Sequence, residues 1–264
     1  MRPTVGLLAA LIVVFVGPVT GQDAAGGPSL EVAGTLFRVR MPSGRILTSS
    51  DLLGATLTAA DEVGAAMTVR IEEVRRDPSD AGGDIWLHRF SVLDAATGTW
   101  SSLCVPGPDG TAAGFPLAGS WTADGRHVRD PSNFTIACTS GAAGKCVRLG
   151  YKPWHEAGGE ALWDYHQTCV RVLRADYGGD GVAHTREGTS IDLFDRLGIQ
   201  RPESDLGGRT FEAAWRPDGA VCIQRTRVPE LLPADELAQR YPRLTGKIGP
   251  DCSEATPALI WNRS

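Results

Sequence analysis

The N-terminal part of the chain alternates apolar and polar residues in short segments that are separated by turn residues. Residues 67–74 alternate as in a strand with one buried face, and residues 36–40 and 85–93 are similar. The pair Asp124 and Gly125 predicts a tight hairpin, because both residues tolerate the positive φ that such turns require. Regular strands with regular turns indicate a β-sandwich or a small β-barrel.

The C-terminal part contains one segment with the period of a helix, residues 160–175. Its apolar face carries four residues at three- and four-residue steps, namely Leu162, Tyr165, Cys169 and Val172. Its polar surface carries Glu160, Asp164, Gln167, Arg171 and Arg174. Because Gly178 and Gly179 then end the pattern, it predicts a helix with one buried face and a solvent-exposed polar surface.

The other C-terminal segments predict mainly strands. We expect strands at 134–138 and 258–261, a hairpin from 210–215 and 220–224, a loop at 139–144 and a helix at 233–241.

The composition, 42% hydrophobic and 22% charged, is that of a globular protein. The predicted fold class is therefore α+β with β dominant. We expect a strand-rich N-terminal half, residues 30–132, packed on a C-terminal half, residues 133–264, that contains the one main helix and is stapled by disulfides. Since no long linker separates the halves, they are expected to share one core.

The first 21 residues have the three parts of a secretory signal peptide. Arg2 supplies a positive charge, residues 5–16 form an apolar run, and small residues follow up to Gly21. We expect cleavage after Gly21, with Ala25 as the alternative, and a flexible lead-in at residues 22–29. A membrane anchor is disfavoured because a spanning helix needs about 20 apolar residues. No later stretch is long and apolar enough to span a bilayer, so the sequence predicts a secreted or periplasmic protein.

Export makes the cysteines candidates for three disulfides in an oxidising compartment. The six are Cys104, Cys138, Cys146, Cys169, Cys222 and Cys252. A zinc site is the minority interpretation, because the sequence has no C-x-x-C and no cysteines and histidines at ligand spacing. Although six cysteines allow 15 pairings, Cys138 and Cys146 are close enough to close a small loop. Cys222 and Cys252 would staple the C-terminal segment.

A formal net charge of −5 gives the chain no basic field for a phosphate backbone or an anionic membrane. Nucleic acid is therefore excluded as a partner, and an envelope or extracellular polymer is the partner class that fits an exported protein.

The tryptophans have two interpretations. They are Trp86, Trp100, Trp121, Trp154, Trp163, Trp215 and Trp261. Exposed indoles could form a platform on which sugars stack. The favoured interpretation is that most are core residues, as large aromatic residues usually are.

One glycine-rich loop concentrates the side chains that could carry chemistry. They are Asp176, Asp180, His184, Asp192 and Asp195, with His166 on the preceding helix. Three interpretations are open. In a hydrolase, His184 would be the general base and Asp176 would orient it. In a cation site, Asp176 and Asp180 would bind calcium, although the spacing is not that of a D-x-D-x-D-G loop. In the favoured structural interpretation, the aspartates bond loop amides, and His166 is a core histidine.

Several short segments between Cys138 and Asp192 resemble the ADYC domain of exported bacterial proteins. They are Cys138-Thr139-Ser140-Gly141, Lys145-Cys146, Gly150-Tyr151-Lys152-Pro153-Trp154, His166-Gln167-Thr168-Cys169, Arg174-Ala175-Asp176-Tyr177, Gly179-Asp180-Gly181, His184-Thr185, Gly188-Thr189 and Ile191-Asp192. The resemblance spans roughly residues 30–264, and the C-terminal half is its most similar part. It implies export and a cysteine-rich fold, and it assigns no catalytic residue.

One departure from the family pattern concerns the cysteine that gives the family its name, which would fall at Gly178. Either its disulfide partner is also missing, or one of the six cysteines is unpaired.

These observations favour a secreted or periplasmic, non-enzymatic binding or structural module without a cofactor. No nucleophile elbow, H-E-x-x-H or comparable motif occurs in the sequence. The alternative is a secreted hydrolase that acts on an envelope or extracellular polymer through His184 and Asp176 or Asp180. His166 is a further, weaker catalytic candidate.

Overall fold

The structure is a computed structural model that describes residues 27–61 and 64–264. The predicted signal peptide and most of the predicted lead-in lie outside the described residues. The strands are β1 (Ser29–Ala33), β2 (Leu36–Arg40), β3 (Ile46–Thr48), β4 (Thr56–Ala60), β5 (Ala66–Arg76), β6 (Trp86–Asp94), β7 (Thr99–Ser102), β8 (Gly114–Ala118), β9 (Ser120–Trp121), β10 (His127–Val128), β11 (Phe134–Cys138), β12 (Glu156–Ala157), β13 (Glu160–Ala161), β14 (Asp192–Asp195), β15 (Phe211–Arg216), β16 (Gly219–Ile223) and β17 (Ile260–Arg263). The helices are α1 (Ala142–Arg148), α2 (Trp163–Arg174) and α3 (Ala234–Arg240), with 3-10 helices at Ser49–Leu52 and Pro242–Leu244.

The chain divides into two compact units. Unit 1 comprises the described residues up to Ser120 together with Arg129–Lys145. Unit 2 comprises Trp121–Val128 and Cys146–Ser264. Strands dominate the described residues and helices are few, so the predicted α+β, β-dominated class is confirmed.

Unit 1 consists of two antiparallel sheets. The smaller has the order β1-β2-β3, and the larger has the order β11-β8-β6-β5-β4 with β7 paired to β6. Apolar residues alternate along β5, where Val69 and Ile71 are buried and Arg70 between them is not. This alternation is the pattern that predicted strands in residues 67–74.

Phe37 of β2 joins the two sheets of unit 1. Its ring meets Phe134 of β11 edge-on, with ring centroids 5.1 Å apart, and Phe90 of β6 at 6.3 Å. Val69 and Ile71 of β5 complete this cluster, in which every side chain is almost fully buried. The core of unit 1 therefore lies between the sheets.

A disulfide between Cys104 and Cys138 fixes the end of β11. Gly114 of β8 lies beside it, because a Cβ atom at this position would be 3.0 Å from Cys104 Sγ and 2.9 Å from the carbonyl oxygen of Ala137. Only glycine permits this approach between β8 and the disulfide.

In unit 2, helix α2 packs on strands β15, β16 and β17 of a sheet with the order β14-β17-β15-β16. Three small residues of this sheet, Ala213, Ala214 and Ala220, are fully buried. Trp215 of β15 is also fully buried, and its indole nitrogen donates to Asn262 Oδ1 at 2.8 Å. The predicted hairpin of residues 210–224 is confirmed as β15 and β16.

The disulfide framework is confirmed in part. All six cysteines pair, as Cys104–Cys138, Cys146–Cys169 and Cys222–Cys252. The expected Cys138–Cys146 loop is wrong because Cys146 lies on α1 and reaches Cys169 on α2. Since no cysteine is left over, the absence of the family cysteine at residue 178 leaves no thiol unpaired.

Two predictions about helices need correction. The first concerns residues 139–144, which are not all loop, since α1 begins at Ala142. This helix is too short to show an apolar period.

The second concerns the polar surface predicted for the main helix. This prediction is wrong, because Gln167 and Arg171 are only 3% and 2% exposed. Gln167 accepts from the His127 backbone at 2.6 Å and donates to Gly125 O at 3.0 Å, so hydrogen bonds compensate its burial.

No helix in the part of the chain that the structure describes is long and apolar enough to cross a membrane.

His88 of β6 is a fully buried histidine in the core of unit 1. Its ring stacks on Phe90 with centroids 5.3 Å apart and meets Phe37 edge-on at 5.8 Å. Burial lowers the pKa of His88 to about 4, although the backbone groups of Trp86 and Gly114 partly oppose this effect. The imidazole is therefore neutral at neutral pH and acts as an aromatic core side chain.

This lowered pKa predicts that acid destabilises the fold. Between pH 6.5 and about 4 the unfolded chain binds a proton at His88 that the folded chain does not, so the free energy of unfolding falls as the pH falls. At pH 4.5 the loss from this one group is about 2 to 3 kcal/mol. The free energy of unfolding is measured with urea at pH 7.0 and at pH 4.5. The decrease between the two pH values should be smaller for His88→Phe than for the wild type, by about 2 to 3 kcal/mol. Equal losses in both proteins would contradict the assignment.

Candidate functional site

The loop that follows α2 is built around the carboxylate of Asp176, which is fully buried. Ala175 ends the helix in the left-handed conformation, with φ of 49° and ψ of 42°, and turns the chain toward the loop. Asp176 then accepts three backbone hydrogen bonds, from Gly179 at 2.8 Å, Asp180 at 3.1 Å and Gly181 at 2.9 Å. One carboxylate thus holds the whole turn.

Arg171 of α2 neutralises this carboxylate. Its guanidinium lies 2.5 Å from Asp176 Oδ2, and both side chains are inaccessible to solvent. Arg171 also donates to the carbonyl oxygens of Asp124 at 2.7 Å and Pro217 at 3.1 Å. The four hydrogen bonds to Asp176 and the pairing of its charge satisfy a buried group that would otherwise be costly.

Three glycine-containing turns meet at this point in unit 2. Gly179 has a φ of 72°, and a Cβ atom there would overlap the carbonyl oxygen of Asp218. Gly181 has a φ of 83°, and its Cβ would lie 3.0 Å from the carbonyl oxygen of Ala123. The glycines are therefore required both by the backbone conformation and by the close contact with the neighbouring turns.

Arg243, which lies near the C-terminus, binds the backbone of the same turns. It donates only to backbone carbonyl oxygens, those of Gly178 at 3.2 Å, Tyr177 at 2.5 Å, Ala220 at 2.7 Å and Asp218 at 2.9 Å. Arg171 and Arg243 together thus bind carbonyl oxygens of all three turns.

Tyr177 leads into a second buried network. Its hydroxyl donates to Glu212 Oε1 at 3.0 Å and accepts from the Arg227 backbone N–H at 2.7 Å. Burial raises the pKa of Tyr177 well above its ordinary value, and the charge of Glu212 adds to this effect. The phenol therefore stays protonated and acts as a fixed donor.

Glu212 and Arg227 form a bidentate ion pair, and both side chains are buried. Arg227 Nε and Nη2 each lie 3.0 Å from a carboxylate oxygen of Glu212. Asn262 of β17 donates to Glu212 Oε2 at 2.8 Å, so the carboxylate accepts four hydrogen bonds, from Arg227, Asn262 and Tyr177. Arg227 also donates to the carbonyl oxygen of Val172 at 2.8 Å, in the last turn of α2. This network joins the helix to two strands of the sheet.

His184 is almost completely buried, and its Nδ1 lies 3.2 Å from the carbonyl oxygen of Ala175. Burial lowers its pKa, whereas the Ala175 carbonyl and the charges of Asp180 and Asp176 oppose that shift. Its Nε2 has no hydrogen-bond partner among the described residues. The ring packs beside Tyr177 and Tyr241, with centroids 6.1 and 6.3 Å away.

Asp180 is exposed and has a local role. It accepts from the Val182 backbone at 3.0 Å and from the Tyr241 hydroxyl at 3.1 Å. Burial, with the Asp180 charge as the next cause, raises the pKa of Tyr241 to about 12. The ring of Tyr241 occupies the space beside Gly178, since a Cβ atom there would overlap it. Tyr241 thus fills the space into which a side chain at residue 178 would project.

The other candidate residues lie apart from this loop. His166 is fully buried in α2, with its ring centroid 5.6 Å from that of His127 and 6.1 Å from that of Trp121. Asp192 pairs with Arg263 at 3.0 Å. Asp195 accepts from the hydroxyl of Tyr151 at 2.8 Å and from three backbone N–H groups. Asp192 and Asp195 are thus committed to internal bonds.

Within the described residues, Asp176, Asp180 and His184 share one loop, but His184 donates to or accepts from no carboxylate. Residues 27–61 and 64–264 contain no group of three or more His, Cys, Asp or Glu side chains that could hold a metal ion. The hydrogen bonds of Asp176 bind three backbone amides of the loop.

Sequence reasoning missed the four residues that organise this region, Arg171, Glu212, Arg227 and Arg243. One signal was available. Glu212 is the single charged position in the otherwise apolar segment 211–215, and a lone charge in an apolar strand indicates a buried pair. Nothing in the sequence identifies Arg227 as its partner.

This account predicts that the loop depends on the charge of Asp176. Asp176→Asn should lower the free energy of unfolding by about 3 to 5 kcal/mol, because it leaves Arg171 as an uncompensated buried charge. The matched variant Asp180→Asn, four residues away and exposed, should cost less than about 1 kcal/mol. Denaturant unfolding measures both. Equal stabilities for the two variants would show that Asp176 does not brace the loop.

Comparison with known proteins gives one match. The model of the ADYC domain family matches residues 49–229, which is more than half of the chain. The matched segment takes in strands of both units and ends before α3. No curated protein and no solved structure matches the chain.

Proposed function

The chain belongs to the ADYC domain family, and from this premise we propose that it is an exported, non-enzymatic binding or structural module. The observation that carries the proposal is the saturation of the loop carboxylate. Asp176 accepts hydrogen bonds from three amides and is paired with Arg171, so its oxygens are already engaged. A carboxylate that orients a general base must bond that base, and Asp176 bonds backbone and arginine instead.

Export is supported by the three disulfides, which are compatible with an oxidising compartment. The predicted N-terminal signal peptide adds to this argument. The proposal includes no cofactor, and the partner that it favours is an envelope or extracellular polymer.

The burial of His184 gives a second line of support. A general base needs access to the proton that it removes, and this imidazole is 3% exposed and held by the carbonyl oxygen of Ala175. Its neighbours Tyr177 and Tyr241 are aromatic rings that pack against it. We therefore assign His184 to the packing of the loop.

This assignment predicts the behaviour of His184→Ala. Loss of a buried ring and its hydrogen bond should lower the free energy of unfolding by about 2 to 4 kcal/mol. The release of reducing ends or soluble fragments from peptidoglycan and extracellular polysaccharides should stay at the level of a buffer control for both the variant and the wild type. If the wild type degrades one of these polymers, and the variant loses that activity without losing stability, the protein is a hydrolase.

A further inference from the structure

The larger sheet of unit 1 has one face away from the Phe37 core, which we call the outer face. It is formed by β4, β5, β6 and β7, and register places Arg70 opposite Ser91 and Leu93 opposite Trp100. The inner neighbours of these residues, Val69 and Val92, pack in the core. Arg70, Ser91 and Trp100 therefore share the outer face, as the alternation of a strand requires.

The outer face carries a fixed aromatic and charged cluster. The guanidinium carbon of Arg70 lies 4.1 Å from the ring centroid of Trp100, and Arg70 Nε donates to Glu72 Oε1 at 2.7 Å. Glu72 also accepts from the hydroxyl of Ser91. Both charged side chains are only partly exposed, 32% for Arg70 and 25% for Glu72. The cluster is thus held in place and is not a set of freely rotating surface side chains.

A β-bulge brings further charges to the same face. The register of β5 against β6 shifts between Ile71 and Glu73, so Glu72 and Glu73 both point outward. Glu73 lies 3.5 Å from Arg75 and 3.5 Å from Arg89. Acceptors and donors therefore alternate along the outer face of β5 and β6.

Next to these charges the surface forms a depression of about 260 Å³. Its walls are Glu73, Arg75, Arg89 and residues 109–113, and the buried Leu87 also lines it. The depression thus combines one apolar contact with a few polar groups.

The charges of this face select the class of ligand. Arg70, Arg75 and Arg89 are balanced by Glu72, Glu73 and Asp109, so the face has no net field for a polyanion or an anionic membrane. A saccharide presents C–H groups that pack on an indole, and hydroxyls that both donate and accept. The indole of Trp100 and the alternating guanidinium and carboxylate groups match those two properties.

We propose that the outer face of unit 1 binds an uncharged saccharide chain, with Trp100 as the stacking residue and the arginine–glutamate pairs as hydrogen-bonding partners. The inference deepens the proposed function, on which it rests, by naming the class of polymer. A monosaccharide unit would lie in the depression beside Arg89, and the adjoining chain would extend along β5 toward Trp100.

Affinity electrophoresis of the mature chain tests the proposal, in native gels that contain hydroxyethyl cellulose, laminarin or dextran. We expect at least one of these neutral polymers to retard the wild type. Trp100→Ala should weaken that binding at least about tenfold, as the loss of a central aromatic residue does at binding sites. A gel with heparin tests binding to a polyanion. If no neutral polymer retards the wild type, or if only heparin does, the proposal is overturned.

Two further variants separate binding from folding. Trp86→Ala is the matched control. Trp86 lies on β6 of unit 1 and, like Trp100 of β7, contacts an arginine, since the guanidinium carbon of Arg76 is 5.0 Å from its ring centroid. By strand alternation it lies on the inner face with His88 and Phe90. This variant should bind as the wild type does. Thr58→Arg adds a long charged side chain at an exposed position of the outer face and should weaken binding without lowering the melting temperature. Unchanged binding by both Trp100→Ala and Thr58→Arg would contradict the proposed site.

The same gels distinguish this inference from the proposed function. If the wild-type protein binds a neutral polymer and releases reducing ends from it, the non-enzymatic function is refuted, and the proposed saccharide site is still supported. A wild type that binds none of the neutral polymers would refute the saccharide site, while a structural role or another ligand would still agree with the proposed function.

Discussion

The buried ion pair between Glu212 and Arg227 is the interaction on which the architecture of unit 2 depends. Its two charges lie inside the unit, so each must be satisfied by fixed partners in place of water. Tyr177, Asn262 and the last turn of α2 supply those partners. Because they belong to a loop, a strand and a helix, satisfying one ion pair fixes the relative positions of three elements. The loop that carries the densest set of polar residues is attached to this pair through Tyr177.

The Ala175-Asp176-Tyr177 sequence acquires a physical meaning from these contacts. Ala175 takes the left-handed conformation that ends the helix, Asp176 holds the next turn, and Tyr177 reaches the ion pair. Each of the three residues makes contacts within the chain itself. In unit 1, the outer face combines an indole that stacks on Arg70 with ordered donors and acceptors.

Sequence reasoning succeeded where local pattern decides the structure. Alternation in residues 67–74 identified a strand, and the pattern of residues 210–215 and 220–224 identified a hairpin, without knowledge of the fold. It failed where a distant partner decides the environment. Arg171 was placed on a polar helix surface because its charge favours water, whereas Asp176 and two carbonyl groups receive it in the interior. The partner of Cys146 was missed for the same reason, since Cys146 lies on α1 and Cys169 on α2, and tertiary packing brings the two together.

A double-mutant cycle on Glu212 and Arg227 tests the central claim most directly. Glu212→Gln and Arg227→Met should each lower the free energy of unfolding by about 3 to 5 kcal/mol, because each leaves a buried charge without its partner. The double variant should lose less than the sum of the two, by about 1 to 3 kcal/mol. Single losses below about 1 kcal/mol, or losses that simply add, would show that the pair does not organise unit 2.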